Sequence, residues 1–166
     1  DRDSGNIRAA KSPDYDGGRW NFILFDCDLC LDYGTTKDEI NYIMNNASLS
    51  RLHTLFRALM KNDGFREQFL KRLGYHMQNS FTPEKAQTRL DELSGEISAD
   101  MKYNVERWKS YYHKTYNDWK ANVSALRKTI GETRIQQMVK DATKTFSLTE
   151  EDVKNFFGEE YVAYMK

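Results

Sequence analysis

Four oxygen-bearing side chains near the amino terminus have the types and spacing that chemistry requires. Asp1 opens the run Asp1-Arg2-Asp3-Ser4-Gly5-Asn6, and Asp26 and Asp28 bracket Cys27 about one hairpin later. Phosphoryl transfer needs such a set: a carboxylate that orients the attacking hydroxyl, with an amide oxygen and a second carboxylate that hold Mg²⁺ on the nucleotide phosphates. On that pattern Asp1 is the base or orienting group, and Asn6 and Asp26 are the metal ligands that also hold the nucleotide. Asp28 is a further ligand or a group supporting one. Spacing alone leaves a second interpretation open, in which Asp-Ser-Gly-Asn is an ordinary turn and the Asp residues after a strand are ordinary caps.

Residues 1–34 contain the elements that must position this set. Residues 7–10 suit a short strand, Ser12-Pro13-Asp14-Tyr15-Asp16-Gly17-Gly18 is a turn cluster, and residues 20–25 are rich in ring and branched side chains. A β-hairpin is expected, with Asp26 and Asp28 at the carboxyl end of its second strand and, by the period of two, on one face. The stretch is also locally acidic, with seven aspartates, among them Asp14, Asp16 and Asp32, against Arg2, Arg8, Lys11 and Arg19.

After Gly34 the apolar period becomes helical. Thr36-Lys37-Asp38-Glu39 suits a capping box, and Leu49, Leu52, Phe56, Leu59 and Met60 form one stripe. Asn62-Asp63 restarts the chain into Phe65, Phe69, Leu70, Leu73 and Met77, and Thr82-Pro83-Glu84 opens a third helix through Ala86, Leu90, Leu93 and Ile97. Further stripes run from Met101 to Tyr112, from Tyr116 to Ile130 and from Ile135 to Ala142, and Ser147-Leu148-Thr149-Glu150 predicts a capping box for a last short helix. The fold class expected is mainly α with a small β-hairpin, as one domain: residues 1–34 as catalytic loop and metal-binding hairpin, residues 35–166 as a helical lobe.

Composition excludes several functions. The 25 Lys+Arg and 25 Asp+Glu in 166 residues leave no basic footprint for nucleic acid, and the longest apolar run, Phe22-Ile23-Leu24-Phe25, is far below the roughly 20 residues that cross a bilayer, so no transmembrane segment is expected. Aromatics at 13% make a core built on large rings affordable. Cys27 and Cys30 form a lone C-x-x-C with neither a second Cys pair nor a βαβ pattern, which disfavours a zinc ribbon, a disulfide scaffold and a thioredoxin-like role. His53, His76 and His113 are far apart and are expected to pack or face solvent, and Lys11 and Lys37 are expected to be solvated. Rings and lysines mix from Trp108 to Tyr116, which suits nucleic-acid or glycan stacking, but the helical spacing favours core rings with snorkelling lysines.

The strand Arg19-Trp20-Asn21-Phe22-Ile23-Leu24-Phe25-Asp26-Cys27-Asp28 resembles that of the CotH-type spore coat kinase family, whose members carry a W-x-x-x-x-W/F-D-x-D signature. The resemblance continues through Leu55-Phe56-Arg57-Ala58-Leu59 and Asn62-Asp63-Gly64-Phe65-Arg66-Glu67-Gln68-Phe69-Leu70, similar to a family segment ending in N-P-E-F-R-x-x-F. It extends through Phe81-Thr82-Pro83-Glu84, residues 97–101, Arg107-Trp108 and residues 119–127, so it spans the chain from Asp1 to about Phe157.

That resemblance implies an atypical protein kinase that phosphorylates Ser or Thr of coat or secreted proteins with ATP and Mg²⁺ or Mn²⁺. Its catalytic Asp falls on Asp1, its Asn on Asn6 and its metal-binding Asp on Asp26. The opening run is also similar to the D-R-H-x-x-N loop of phosphoinositide and other atypical kinases, with Asp3 where His is frequent there. The resemblance further implies a kinase-like C-lobe helical bundle, α+β in the full-length protein, and an extracellular, cell-surface or spore-coat location. A phosphate-binding Lys on an amino-terminal lobe is also needed, so the chain is expected to be a fragment lacking its N-lobe and inactive alone. Two alternatives stand beside this: a non-catalytic coat or cell-surface assembly module on the same fold, and a kinase for a lipid or small molecule.

Overall fold

The computed structural model describes residues 7–24, 38–45 and 51–165. Two short strands, β1 (Ile7–Ala10) and β2 (Asn21–Leu24), pair antiparallel. Among the described residues seven α-helices follow: α1 (Glu39–Asn45), α2 (Arg51–Met60), α3 (Asp63–Asn79), α4 (Pro83–Tyr112), α5 (Tyr116–Lys128), α6 (Arg134–Phe146) and α7 (Glu150–Phe156). A π-turn at Thr129–Thr133 joins α5 to α6, and a 3₁₀ turn at Glu159–Tyr164 follows α7. The fold is mainly α with a small β-hairpin, as the sequence predicts.

Caps set most helix boundaries. The Asn62 side chain accepts from the Phe65 N–H at 3.0 Å and Thr82 accepts from the Lys85 N–H at 3.3 Å with Pro83 at the first helical position, both where the sequence places them. At the last helix the register differs from expectation. Ser147 takes a left-handed conformation (φ 53°) that ends α6, and it is Thr149 that forms the capping box, with Asp152. Thr115 and Asp118 form a second such box at α5, with Asp where the usual pattern has Glu or Gln. At α1, Asp38 Oδ1 accepts from the Asn41 N–H at 2.9 Å, while Thr36 and Lys37 of the expected box, like Leu49 of the first stripe, lie outside the described residues. The stripe from Met101 to Tyr112 continues the third helix without a break, giving one α4 of 30 residues.

The core sits where α3, α6 and α7 meet. Leu70, Met77, Ile135, Val139, Ala142, Val153 and Phe157 are buried together, with Phe69, Leu73, Phe146, Phe156 and Tyr161 packed around them. Gly74 lets α3 approach the end of α7 so closely that a Cβ there would collide with the Phe156 carbonyl. Alongside it the Gln78 side-chain amide donates to the Phe157 carbonyl. Among the described residues Phe157 is the one Phe, Tyr or Trp that is buried, with Phe69, Phe146, Phe156 and Tyr161 packed beside it, while Tyr75, Phe81, Tyr103, Trp108, Tyr111 and Tyr112 are exposed. The core needs interdigitating aliphatic volume between three close helices, and Leu, Met, Val and Ala supply it.

Candidate functional site

The hairpin lies between the two candidate segments in sequence. Its register pairs Ile7 with Leu24, Arg8 with Ile23, Ala9 with Phe22 and Ala10 with Asn21. Ile7 directly follows Asn6 in sequence, and Leu24 stands two residues before Asp26, so the strand ends that lead to the two oxygen-rich segments are neighbours in one ladder. The register is set at the opposite end by a tight turn. Asp16, Gly17 and Gly18 have φ of 49°, 60° and 74°, a left-handed run that two glycines make accessible. Arg19 closes it, donating through Nε to the Asp16 carbonyl at 3.1 Å and pairing with the Asp16 carboxylate at 3.0 Å. Lys11 lies 6.0 Å from the centre of the exposed Trp20 ring, which agrees with a solvated lysine.

Asp1, Asn6, Asp26 and Asp28 themselves lie outside the described residues, as do Lys37, Cys27 and Cys30. Among the described residues no three His, Cys, Asp or Glu side chains gather as a metal-holding group. The histidines are dispersed: His53 is buried in α2, His76 is bonded to Ser80 beside the Tyr75 and Phe81 rings, and His113 (φ 52°) ends α4 in solvent. As a donor set, the carboxylates of Asp1, Asp26 and Asp28 and the Asn6 amide oxygen have the hard-oxygen chemistry that suits Mg²⁺ or Mn²⁺ and not a soft metal.

α1, which follows the stretch carrying Asp26 and Asp28 in sequence, packs on α6. Asp141 of α6 is buried there and accepts a hydrogen bond from Gln137 Nε2 at 2.6 Å. Burial pushes its carboxyl above the usual range, a shift that the Gln137 bond opposes and the charge of Asp38, at the start of α1, reinforces. Sequence reasoning missed this buried acid. Its only signal was a charged residue on the apolar stripe of α6, between Met138 and Ala142.

The ring-rich stretch from Trp108 to Tyr116 departs from expectation. Tyr116 is half-buried with Lys102 and Lys120 over its ring, as snorkelling predicts, but Trp108, Tyr111 and Tyr112 are 47%, 72% and 61% exposed. Rings at helical spacing mark a face, and here no described element covers it.

Comparison with known proteins adds one finding. A family model described as CotH kinase protein matches residues 1–137, a stretch that includes the hairpin and all four candidate site residues. No curated protein and no solved structure matches the chain.

Proposed function

This chain belongs to the CotH family, and on that premise we propose that it carries the catalytic loop, metal-binding hairpin and helical lobe of an atypical protein kinase. The reaction is transfer of the γ-phosphoryl group of ATP to Ser or Thr hydroxyls of a coat or secreted protein. Residues 1–34 supply the chemistry and residues 35–166 the lobe that carries it. The observation that supports this most is the pairing of Ile7 with Leu24, which makes neighbours of the two strand ends leading to Asn6 and Asp26.

Each side chain has a role that its chemistry permits. The Asp1 carboxylate orients the acceptor hydroxyl and takes its proton as the new P–O bond forms and the bond from the γ-phosphorus to the β-phosphate oxygen breaks, releasing ADP. The Asn6 amide oxygen and the Asp26 carboxylate hold Mg²⁺ or Mn²⁺ on the nucleotide, and Asp28 is a third donor or steadies one. When bound, the ion offsets the charge on the phosphates. The Lys that meets the α- and β-phosphates in kinases is not assigned to any residue here. Among the described residues no helix is long and apolar enough to cross a membrane, which is compatible with a coat-associated protein.

The test is phosphate transfer by the full-length natural protein, with radiolabelled ATP and Mg²⁺ or Mn²⁺, to Ser/Thr peptides and, in parallel, to inositol lipids. Transfer to peptides that is lost in Asp1→Asn and Asp26→Asn is expected. Transfer to lipid alone, or activity retained in both variants, contradicts the assignment. Absence of both transfer and nucleotide binding in the intact protein replaces it with the assembly-module reading.

A further inference from the structure

Helix α1 is held in place by few contacts. Its seven residues are too few for a helix to persist in water on its own, and none of those whose burial is described is fully buried. Ile40, Ile43 and Met44 are half-buried, and of these Ile40 packs against the core. The helix therefore owes its form to its packing on α6, to a smaller contact with α2, and to the cap that Asp38 Oδ1 places on the Asn41 N–H at 2.9 Å.

Its partner α6 carries a group that opposes this packing when charged. Asp141 is 6% exposed and is the one buried carboxylate among the described residues. Among those residues one hydrogen bond reaches it, from Gln137 Nε2 at 2.6 Å, and no Lys or Arg forms an ion pair with it. The described charges that act on it are Asp38 from α1, which disfavours the carboxylate, and Arg134 and Lys144 from its own helix, which favour it; α2, the π-turn and the 3₁₀ turn contribute none. Burial is the largest influence, and with Asp38 it outweighs the Gln137 bond and the two cations.

We propose that α1 and α6 form a proton-dependent latch, in which α1 is seated while Asp141 is protonated and leaves α6 when Asp141 is ionised beside Asp38. The protonated carboxyl still accepts the Gln137 bond and carries no charge to oppose Asp38. The ionised form is a buried charge without a cation partner, which water relieves only when α1 moves away. Asp38 is tied to the start of α1 by its cap, so its charge leaves with the helix. The seated form thus binds the proton more tightly than the released form. By linkage, release is least favourable below the ordinary Asp value, about 3.9, grows by up to about tenfold per pH unit above it, and levels off once pH passes the raised value of the seated form. The inference stands apart from the kinase reading, since it uses no residue of the proposed catalytic set.

The test is amide hydrogen exchange of the full-length natural protein from about pH 4 to about pH 8, with each rate corrected for the intrinsic effect of pH. The amides of residues 41–45 are expected to lose protection several-fold over that range, while those around Leu70 and Met77 in α3 keep theirs. Asp141→Asn retains an acceptor for Gln137 and holds α1 protected at every pH. Asp38→Asn still caps α1 and leaves a smaller loss than the parent shows, since burial continues to act on Asp141. Protection of α1 that does not change with pH, that falls only together with α3, that is lost equally in Asp141→Asn, or that falls as far in Asp38→Asn as in the parent would each overturn the proposal.

Discussion

Ile7 of β1 and Leu24 of β2 are partners across the antiparallel ladder, the pair furthest from the turn that closes the hairpin. Paired residues of such a ladder lie about 4.5–5.5 Å apart at their Cα atoms. Residues separated by the length of a hairpin in sequence are thus entered from adjacent strand ends, and Asn6 and Asp26 are one and two residues beyond them. A one-residue slip of this register would exchange the faces of the sheet and misdirect whatever follows β2.

The turn that holds the register is therefore expected to matter for activity. Replacing Gly17 and Gly18 by Val forces branched side chains into the left-handed region, at a cost of about 1–2 kcal/mol each. Phosphate transfer by the full-length protein should fall at least several-fold while the helical circular dichroism is unchanged. Unaltered transfer would separate the turn from the site.

Gly74 tests the helical core independently of catalysis. A methyl group there meets the Phe156 carbonyl, which is backbone and can yield only by moving α7. Gly74→Ala is expected to destabilise by about 3 kcal/mol and to lower the melting temperature by about 6–12 °C. Gly95, in the middle of α4 with open space around it, is the control, and Gly95→Ala should be neutral or slightly stabilising.

Much of this fold is legible in the sequence, because helices announce themselves by an apolar period and by caps such as Asn62 and Thr82. The two boxes at Thr115 and Thr149 escape the usual signature because their third helical residue is Asp. The continuity of α4 was less visible: the stripes before and after Asp100 differ in composition, and yet no Gly or Pro after Gly95 interrupts them. Exposure of Trp108 and Tyr111 could not be read at all, since periodicity marks a face without saying whether another element lies on it. The hairpin and its turn were readable from Gly17-Gly18 and the residues that flank them. Asp141 was not, because only packing turns a stripe residue into a buried acid.

Asp141 gives a pH prediction of definite sign. Its carboxyl is raised in the folded state, so its contribution is most favourable below the unfolded value, about 3.9, and is lost as pH rises through the raised folded value. Asp141→Asn keeps an acceptor for Gln137 and removes the buried charge. The variant should be as stable as the parent or more so at pH 7, with the difference shrinking toward pH 4 in thermal melts. A larger deficit at pH 7 than at pH 4 would mean that the charge itself is needed.

The cap carboxylates titrate with the opposite sign. Hydrogen bonds from Thr115 and Thr149 hold Asp118 and Asp152 below the usual carboxylate range. Their stabilisation is present above the unfolded value and is lost as pH falls through the lower folded values. Thr149→Ala should cost about 1 kcal/mol at neutral pH, and less once the pH has fallen through the lowered folded value, where the parent has also lost the bond. A cost independent of pH would assign the effect to Thr149 alone.

Metal-dependent nucleotide binding is the central claim, and calorimetric titration of ATP with Mg²⁺ or Mn²⁺ into the full-length natural protein, beside its Asp26→Asn variant, tests it most directly. Binding that requires the metal and disappears in the variant is the result expected if the segment after Leu24 holds the ion. Equal binding by the variant, or none by the intact protein, would contradict it.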